Sequence, residues 1–330
     1  MFKRLGRFLP TRRTRHTPSS AVSQSSDPFD LRTPLLFFSD YDPWTIGNAC
    51  EGTQIFGATG SGITSGSGQA IAKAFLESGF GGLVLTAKPD ERQLWERYAA
   101  ETGRQESLSI FSPESGFHFN FLDYEMKRPG RGAGLTDNIV NLFTSVLDVA
   151  ERSQRGNSDS YWQRTLKQLL RNSVDLLSIA RGSISLPEIY EIITSAPDNH
   201  EQVQSEEWQK RSFCYQLLNE AEEKVKNLGT QKERDFELTA RYWLSEFPGL
   251  ASKTRSIIVS TFTSMADGFL RGALHEMFCT NTNIVPEMTH EGGIIIIDLP
   301  VKEFAEVGQF AQVLFKIIWQ QATERRNVQE

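Results

Sequence analysis

A cluster of glycines early in the chain is the feature that most limits how this sequence can fold. Nine of its 25 glycines lie between Gly52 and Gly82. Residues 57–64 spell GATGSGIT, which matches the phosphate-binding pattern G-x-x-x-x-G-K-[S/T] except at the lysine, where Ile63 stands. Such a loop needs glycines because its backbone N–H groups must converge on phosphate oxygens without interference from Cβ atoms. The spacing predicts a strand, a phosphate-binding loop and a helix in succession.

The residues around the loop agree with this order. Thr53–Phe56 is predicted to be a short buried strand leading into the loop. Ser67–Ser78 is predicted to be the following helix, whose positive end points at the bound anion. Thr64 would place its hydroxyl on Mg²⁺.

Isoleucine at position 63 changes the expected chemistry more than the rest of the pattern does. A lysine there would bring a positive charge to the β- and γ-phosphates. Losing one charge-assisted hydrogen bond weakens ground-state binding by about 1.5–3 kcal/mol. The loss should be larger during phosphoryl transfer, because charge shifts in the transition state. We therefore predict weak nucleotide binding with little or no hydrolysis.

Further short apolar runs predict a parallel sheet. Gly82–Thr86, Leu108–Phe111 and Gly293–Asp298 are predicted strands. A helix is predicted from an Asp90 cap, with Gln93 at the capping-box position, to about Thr102. Strands that alternate with helices at this spacing favour parallel pairing with right-handed crossovers.

Three polar residues near these elements are candidate site residues with open alternatives. Lys88, at the carboxyl end of a predicted strand, is either a surrogate phosphate contact or a solvated loop lysine. Asp298 follows four aliphatic residues, which resembles a Walker B strand, whose carboxylate would hold Mg²⁺ through water. Leu299 follows, however, where a catalytic glutamate often stands. Arg255 is either a catalytic finger across a subunit interface or a solvated helix charge.

Residues from Leu135 to about Phe247 carry helical periodicity instead. Long helices are predicted over Gln202–Leu228 and Asp235–Phe247. Beyond them, helices are predicted over Lys253–Gly268 and Phe304–Arg326.

Charge is distributed unevenly along the chain. Residues 1–16 contain six Lys or Arg and no acidic residue, whereas the remainder has 29 basic and 41 acidic side chains. This acidic remainder excludes a broad electrostatic footprint for nucleic acid. The basic segment has three interpretations: a disordered solvated tail, an arm that touches anionic lipid or nucleic-acid phosphate, or an organelle presequence.

The apolar runs and the cysteines bear on where the chain works. No run of 18 apolar residues exists, so a membrane-spanning helix is not expected. The three cysteines are more than 60 positions apart and form no Cys-x-x-Cys knuckle, which favours a reducing cytoplasm.

Several longer segments carry a family resemblance. The loop GATGSG-I-TSGSGQ, the strand and turn LVLTAKPDE, and the stretches FPGLASKTRSIIVSTFTSMADGFL and GGIIIIDLPVKEFAEVGQFAQVLFK resemble TraG/TraD-like coupling-protein ATPases of conjugative type IV secretion, within the FtsK–HerA superfamily. The similarity runs from about residue 35 to residue 330. It implies an α/β fold with a RecA-like P-loop NTPase core and a mainly parallel sheet, interrupted by an all-α insertion domain.

The resemblance also implies a division of the chain and a set of partners. Residues 1–34 would be a basic disordered segment, 35–134 and 251–330 the two parts of the nucleotide-binding domain, and 135–250 the all-α domain. The nucleotide loop would comprise Gly57, Ala58, Thr59, Gly60, Ser61, Gly62, Ile63, Thr64 and Ser65. ATP and Mg²⁺ would be the cofactors, and DNA, a relaxase or other secretion proteins the partners of a hexamer. The expected location is the cytoplasm, at the inner face of the bacterial membrane if residues 1–16 contact it.

The chain departs from the family at three points. Ile63 replaces the family lysine, and no membrane anchor precedes residue 35. On this mapping, the family's Asp-Glu pair is expected beyond residue 330. Asp298 would then lie on a neighbouring strand rather than hold the metal.

Overall fold

The computed structural model describes residues 30–58, 66–152 and 160–326. The chain divides into two compact units, Met1–Ala74 and Phe75–Glu330.

The first unit contains a hairpin that the sequence analysis did not predict. Strand β1 (Pro34–Ser39) pairs antiparallel with β2 (Asp42–Thr45). Helix α1 (Ile46–Cys50) follows, and a reciprocal pair of hydrogen bonds between Thr45 and Asn48 caps its first turn.

The predicted strand at Thr53–Phe56 is wrong. Residues 52–58 have no regular secondary structure, and Phe56 is 82% exposed. A strand needs a partner ladder for its backbone groups, and none of the described strands pairs with this segment. The predicted helix after the loop is confirmed as α2 (Ser67–Glu77).

The second unit contains a three-stranded parallel sheet. Strands β3 (Gly82–Leu85) and β4 (Leu108–Phe111) lie on either side of β5 (Ile294–Ile297), in the order β3-β5-β4. Leu83 and Ser109 both pair with Ile295, in a register without shifts. The four isoleucines of β5 are at most 2% exposed, as expected for the central strand of a parallel sheet. The protein therefore has an α/β fold, as predicted.

Each strand of this sheet is followed along the chain by a helix: β3 by α3 (Glu91–Glu101), β4 by α4 (Phe121–Lys127), and β5 by α14 (Val301–Arg325). Helix α14 contains a non-helical residue, Ala305, near its start. Aromatic rings join helix α14 to the sheet: Phe315 packs against Phe111 at 5.7 Å and against Phe119 at 4.9 Å between ring centroids. The side chains of these three residues are fully buried.

Between α4 and β5, the described residues are mostly helical. The helices are α5 (Thr136–Arg152), α6 (Ser160–Arg181), α7 (Leu186–Ser195), α8 (His200–Val203), α9 (Glu206–Arg211), α10 (Phe213–Val225), α11 (Thr230–Arg241), α12 (Ser252–Asp267) and α13 (Gly272–Cys279). A π-helical turn at Tyr242–Glu246 extends α11.

The single helix predicted over Gln202–Leu228 is wrong, because this segment holds parts of three helices. Ser205 and Ser212 have extended backbones, and each side chain accepts a hydrogen bond from the backbone of the following helix. A serine that caps a helix in this way interrupts an otherwise helical pattern.

None of the helices that the structure describes has both the length and the apolar character needed to cross a membrane.

Candidate functional site

The glycine-rich loop lies mostly outside the described residues. Gly57 and Ala58 are exposed at the end of the irregular segment, whereas residues 59–65 are not described. The roles assigned to Thr59, Gly60, Ser61, Gly62, Ile63, Thr64 and Ser65 therefore stay predictions. Helix α2 begins two residues later, and its first turn carries no acidic residue, which suits an anion at this end.

Asp298 lies at the carboxyl end of the central strand and forms an ion pair. Its Oδ2 accepts a hydrogen bond from Nη1 of Arg92 on α3 at 3.1 Å. The Asp298 side chain is only 14% exposed. Arg92 also donates to Glu96 at 2.9 Å. The hydrogen bond to Glu96, and to a smaller extent the one to Asp298, raises the pKa of Arg92. The guanidinium beside Asp298 therefore stays charged.

The backbone amides at the end of β3 are occupied by a carboxylate of the chain itself. Oε2 of Glu91 accepts hydrogen bonds from the N–H groups of Ala87 at 2.6 Å and Lys88 at 3.3 Å. The side chain of Asp90 makes no capping bond, so the predicted capping box is wrong. Glu91 satisfies these amides because its longer side chain reaches back from the first helical position. An anion at these amides would have to displace Glu91, and Lys88 itself is exposed.

A buried carboxamide joins two strand ends at the same edge. Nε2 of Gln312 on α14 donates to the carbonyl oxygens of Thr86 and Leu299, both at 2.7 Å. The hydroxyl of Thr86 donates to the carbonyl of Ile297 at 2.9 Å. These bonds connect β3, β5 and α14 at the sheet edge that carries Asp298.

The sequence analysis missed Arg92, Glu91 and Gln312. Gln312 had a detectable signal, since it is a polar residue between the apolar Ala311 and Leu314 of a predicted helix. Arg92 had none, because its contact with Asp298 joins residues 206 positions apart.

Arg255 lies elsewhere in the second unit. It is on α12, its side chain is 13% exposed, and its Nη2 lies 3.5 Å from Oδ1 of Asp198. Among the described residues, Arg255 and Asp298 have different ion-pair partners and share none. The interpretation of Arg255 as a finger across a subunit interface stays a prediction.

The metal chemistry open to this edge is limited. In the described part of the chain, no three His, Cys, Asp or Glu side chains are grouped so that they could hold a metal ion. Asp298 is paired with Arg92, and its role as a Mg²⁺-holding carboxylate stays a prediction.

Comparison with known proteins adds no assignment: the chain matches no family model, no curated protein and no solved structure. The residues themselves therefore carry the functional argument.

Proposed function

We propose that this chain is the nucleotide-binding part of a DNA-translocating coupling ATPase of conjugative type IV secretion, with hydrolysis impaired by Ile63. The single observation that carries the proposal is the glycine pattern at 57–65, followed directly by a helix whose first turn has no carboxylate. A parallel sheet in the same chain supports it, because phosphate-binding loops of this pattern belong to α/β folds.

The loop residues would bind the nucleotide mainly through their backbone. The N–H groups of Gly57–Gly62 would hold phosphate oxygens, and Thr64 would direct its hydroxyl to Mg²⁺. Bound ATP–Mg²⁺ would supply the phosphoryl group and neutralise part of its charge. Isoleucine at 63 would leave the β- and γ-phosphates without their usual cation. The pairing of Asp298 with Arg92 favours assigning the metal-holding carboxylate elsewhere in such an ATPase.

The proposal extends to fold and partners. The finer architecture is a RecA-like core interrupted by an all-α domain over 135–250, assembled as a hexamer. DNA and a relaxase or other secretion proteins would be its partners, at the cytoplasmic face of the membrane.

Restoring the lysine tests this proposal. ATP–Mg²⁺ binding by calorimetry and phosphate release would be compared for the unmodified protein, Ile63→Lys and Ser78→Lys. The Ser78 variant is the matched control, because it adds the same charge at an exposed position that follows the carboxyl end of α2, away from the first turn that faces the loop. We expect Ile63→Lys to bind ATP more than tenfold tighter, as a bond of about 1.5–3 kcal/mol implies. Equal affinity and turnover in all three proteins would contradict the proposal.

A second candidate function is a non-hydrolysing, nucleotide-regulated scaffold that binds secretion partners through its helical region. The specific observation that favours it is the absence of a catalytic cation at 63, together with the ion pair between Asp298 and Arg92. DNA added to the Ile63→Lys protein separates the two functions. Stimulated hydrolysis favours the motor, whereas no turnover with retained capture of secretion partners favours the scaffold.

A further inference from the structure

A pocket of about 340 Å³ lies among the helices of the second unit. It is lined by parts of α7, α8, α9 and α12, by the α7–α8 turn and by the residue after the π-helical turn. Its apolar wall is formed by Trp208, Phe247 and Val259. Its charged side chains are those of Arg255, Arg211 and Asp198. Small-ligand pockets have volumes of about 300–1,000 Å³, so this one suits a ligand of about one amino-acid residue.

The charge of Arg255 is poorly satisfied within the described residues. Its side chain is 13% exposed, yet its ion pair is a 3.5 Å approach to Asp198, and it donates no side-chain hydrogen bond to any described residue. A partly buried charge is costly unless it is paired and hydrogen-bonded. A guanidinium has five N–H donors in a planar fork that matches a carboxylate. The pocket therefore has unused capacity to bind an anion.

Asp198 indicates which anion the pocket suits. It places a carboxylate beside the guanidinium, but its side chain is 72% exposed and the contact is long. Bonds that do not involve the Asp198 side chain hold its loop: the N–H of Asp198 donates to Oε1 of Gln202 at 2.5 Å, and the side chain of Asn199 caps α8. The Asp198 side chain can therefore give way to another carboxylate without unfolding the loop.

The apolar wall indicates what the carboxylate is attached to. Trp208 is 8% exposed, and its indole N–H already donates to the carbonyl of Ser195 at 2.9 Å. Its ring packs edge-on against Tyr215 at 5.4 Å between ring centroids and presents apolar surface to the pocket that it lines. Arg211, in the last turn of α9, is an exposed second cation that pairs with Glu207. Arg211 and Arg255 both line the pocket, so the charge of Arg211 adds to the attraction for an anion.

We propose that this pocket binds a carboxylate attached to a small apolar or aromatic group, with Arg255 holding the carboxylate in place of Asp198. The ligand is either a free organic acid or the C-terminal residue of a peptide, since both present this chemistry. The proposal is independent of the nucleotide loop.

Calorimetry on the full chain tests the chemistry with four probes. These are 3-phenylpropionate, acetyl-Gly-Gly-Phe with a free carboxyl group, the same peptide as its C-terminal amide, and inorganic phosphate. We expect one of the two acids to bind with a Kd of about 1 mM or tighter, and the amide to bind at least about tenfold more weakly than the acid peptide. A tighter peptide identifies a peptide C-terminus as the source, and a tighter free acid identifies a small molecule. Absence of binding by both acids, or stronger binding of phosphate, would overturn the proposal.

Charge reversal at Arg211, an exposed residue of the pocket lining, tests where the acid binds without disturbing the buried core. Arg211→Glu should weaken acid binding by about tenfold, since it turns an attractive charge into a repulsive one. Lys210→Glu is the matched control, because Lys210 is exposed on the same helix, makes the same kind of ion pair, and is not part of the pocket lining. Equal effects of the two substitutions would place the acid outside the pocket.

Two further variants separate ligand binding from a structural role of Arg255. Arg255→Lys keeps the charge but loses the planar fork, so it should weaken binding by about tenfold with little change in Tm. Asp198→Asn removes the internal competitor, so it should tighten binding about two- to fivefold. A purely structural pair would instead leave affinity unchanged or reduced in Asp198→Asn, and that result would overturn the displacement step.

Discussion

Gly81 precedes strand β3, and its replacement by alanine tests how closely the turn before β5 packs against this point. A Cβ atom at position 81 would lie 2.2 Å from the carbonyl oxygen of Thr289 and 2.6 Å from that of Gly293. Ordinary contact begins near 3.4 Å, so the nearer pair would have to separate by about 1.2 Å, the difference between the two distances. Both oxygens belong to the backbone, and neither can rotate away as a side chain could.

The expected cost follows from this overlap. Overpacking a filled site costs about 1–3 kcal/mol, and occasionally more. Because the backbone itself must move, we expect Gly81→Ala to lower the free energy of unfolding by about 3 kcal/mol. For a unit of this size, that loss corresponds to a decrease in Tm of about 6–12 °C. Circular dichroism during heating measures it, and urea unfolding provides a second estimate.

Gly82→Ala is the matched control. Gly82 is the next residue along the chain, no atom lies within 4 Å of the position of its Cβ, and its φ angle is not left-handed. We expect the Tm of Gly82→Ala to stay within about 2 °C of the Tm of the unmodified protein, because the added methyl group meets no neighbour. If Gly81→Ala were as stable as Gly82→Ala, the close approach of residues 289–293 would be refuted.

Three further substitutions test polar contacts of the second unit. Arg104→Ala removes hydrogen bonds to three backbone carbonyls and one serine hydroxyl. In urea unfolding it should lower the free energy of unfolding by about 2–3 kcal/mol. The control Arg97→Ala, at an exposed position, should lower it by less than about 0.5 kcal/mol. Gln312→Leu leaves two strand-end carbonyls without their donor and should lower the free energy of unfolding by about 1–3 kcal/mol. Gln309→Leu, on the exposed face of the same helix, should change this free energy little. Equal stabilities of the two variants would contradict the bridging role of Gln312. Burial is the largest of the causes that raise the pKa of Asp175, so its ionisation disfavours the folded state, and stability is lost as pH rises past the ordinary pKa of 3.8. Asp175→Asn should therefore raise the Tm at pH 7 and leave it unchanged well below pH 3.8; a lower Tm at pH 7 would contradict this assignment.

Local elements of the second unit were largely predictable. The apolar runs of β3, β4 and β5 and the periodicity of α12 and α14 predicted these elements to within a few residues. These predictions succeeded because an apolar run or a helical face depends on residues that are close in sequence. The end of α3 was predictable for the same reason, since Gly103 adopts the left-handed φ of 71° that stops a helix.

Other predictions failed because competing local preferences or distant partners decided the outcome. The serine caps at 205 and 212 divided a segment whose apolar periodicity predicted one helix. The segment Thr53–Phe56 has only two large apolar residues and pairs with none of the described strands. The β1–β2 hairpin escaped prediction because its exposed Phe37 and Phe38 break the alternation expected of a strand with one buried face.

The amino-acid sequence by itself determined the glycine pattern with Ile63, the parallel character of the sheet and most of the helices of this protein. These depend on backbone conformation and on apolar spacing over a few residues. Only the tertiary structure decided that β5 lies between β3 and β4, that Arg92 pairs with Asp298, and that Arg255 lies beside Asp198. The physical reason is separation along the chain: each of these contacts joins residues between 57 and 212 positions apart. Their formation depends on how whole elements pack, which local sequence preferences do not encode.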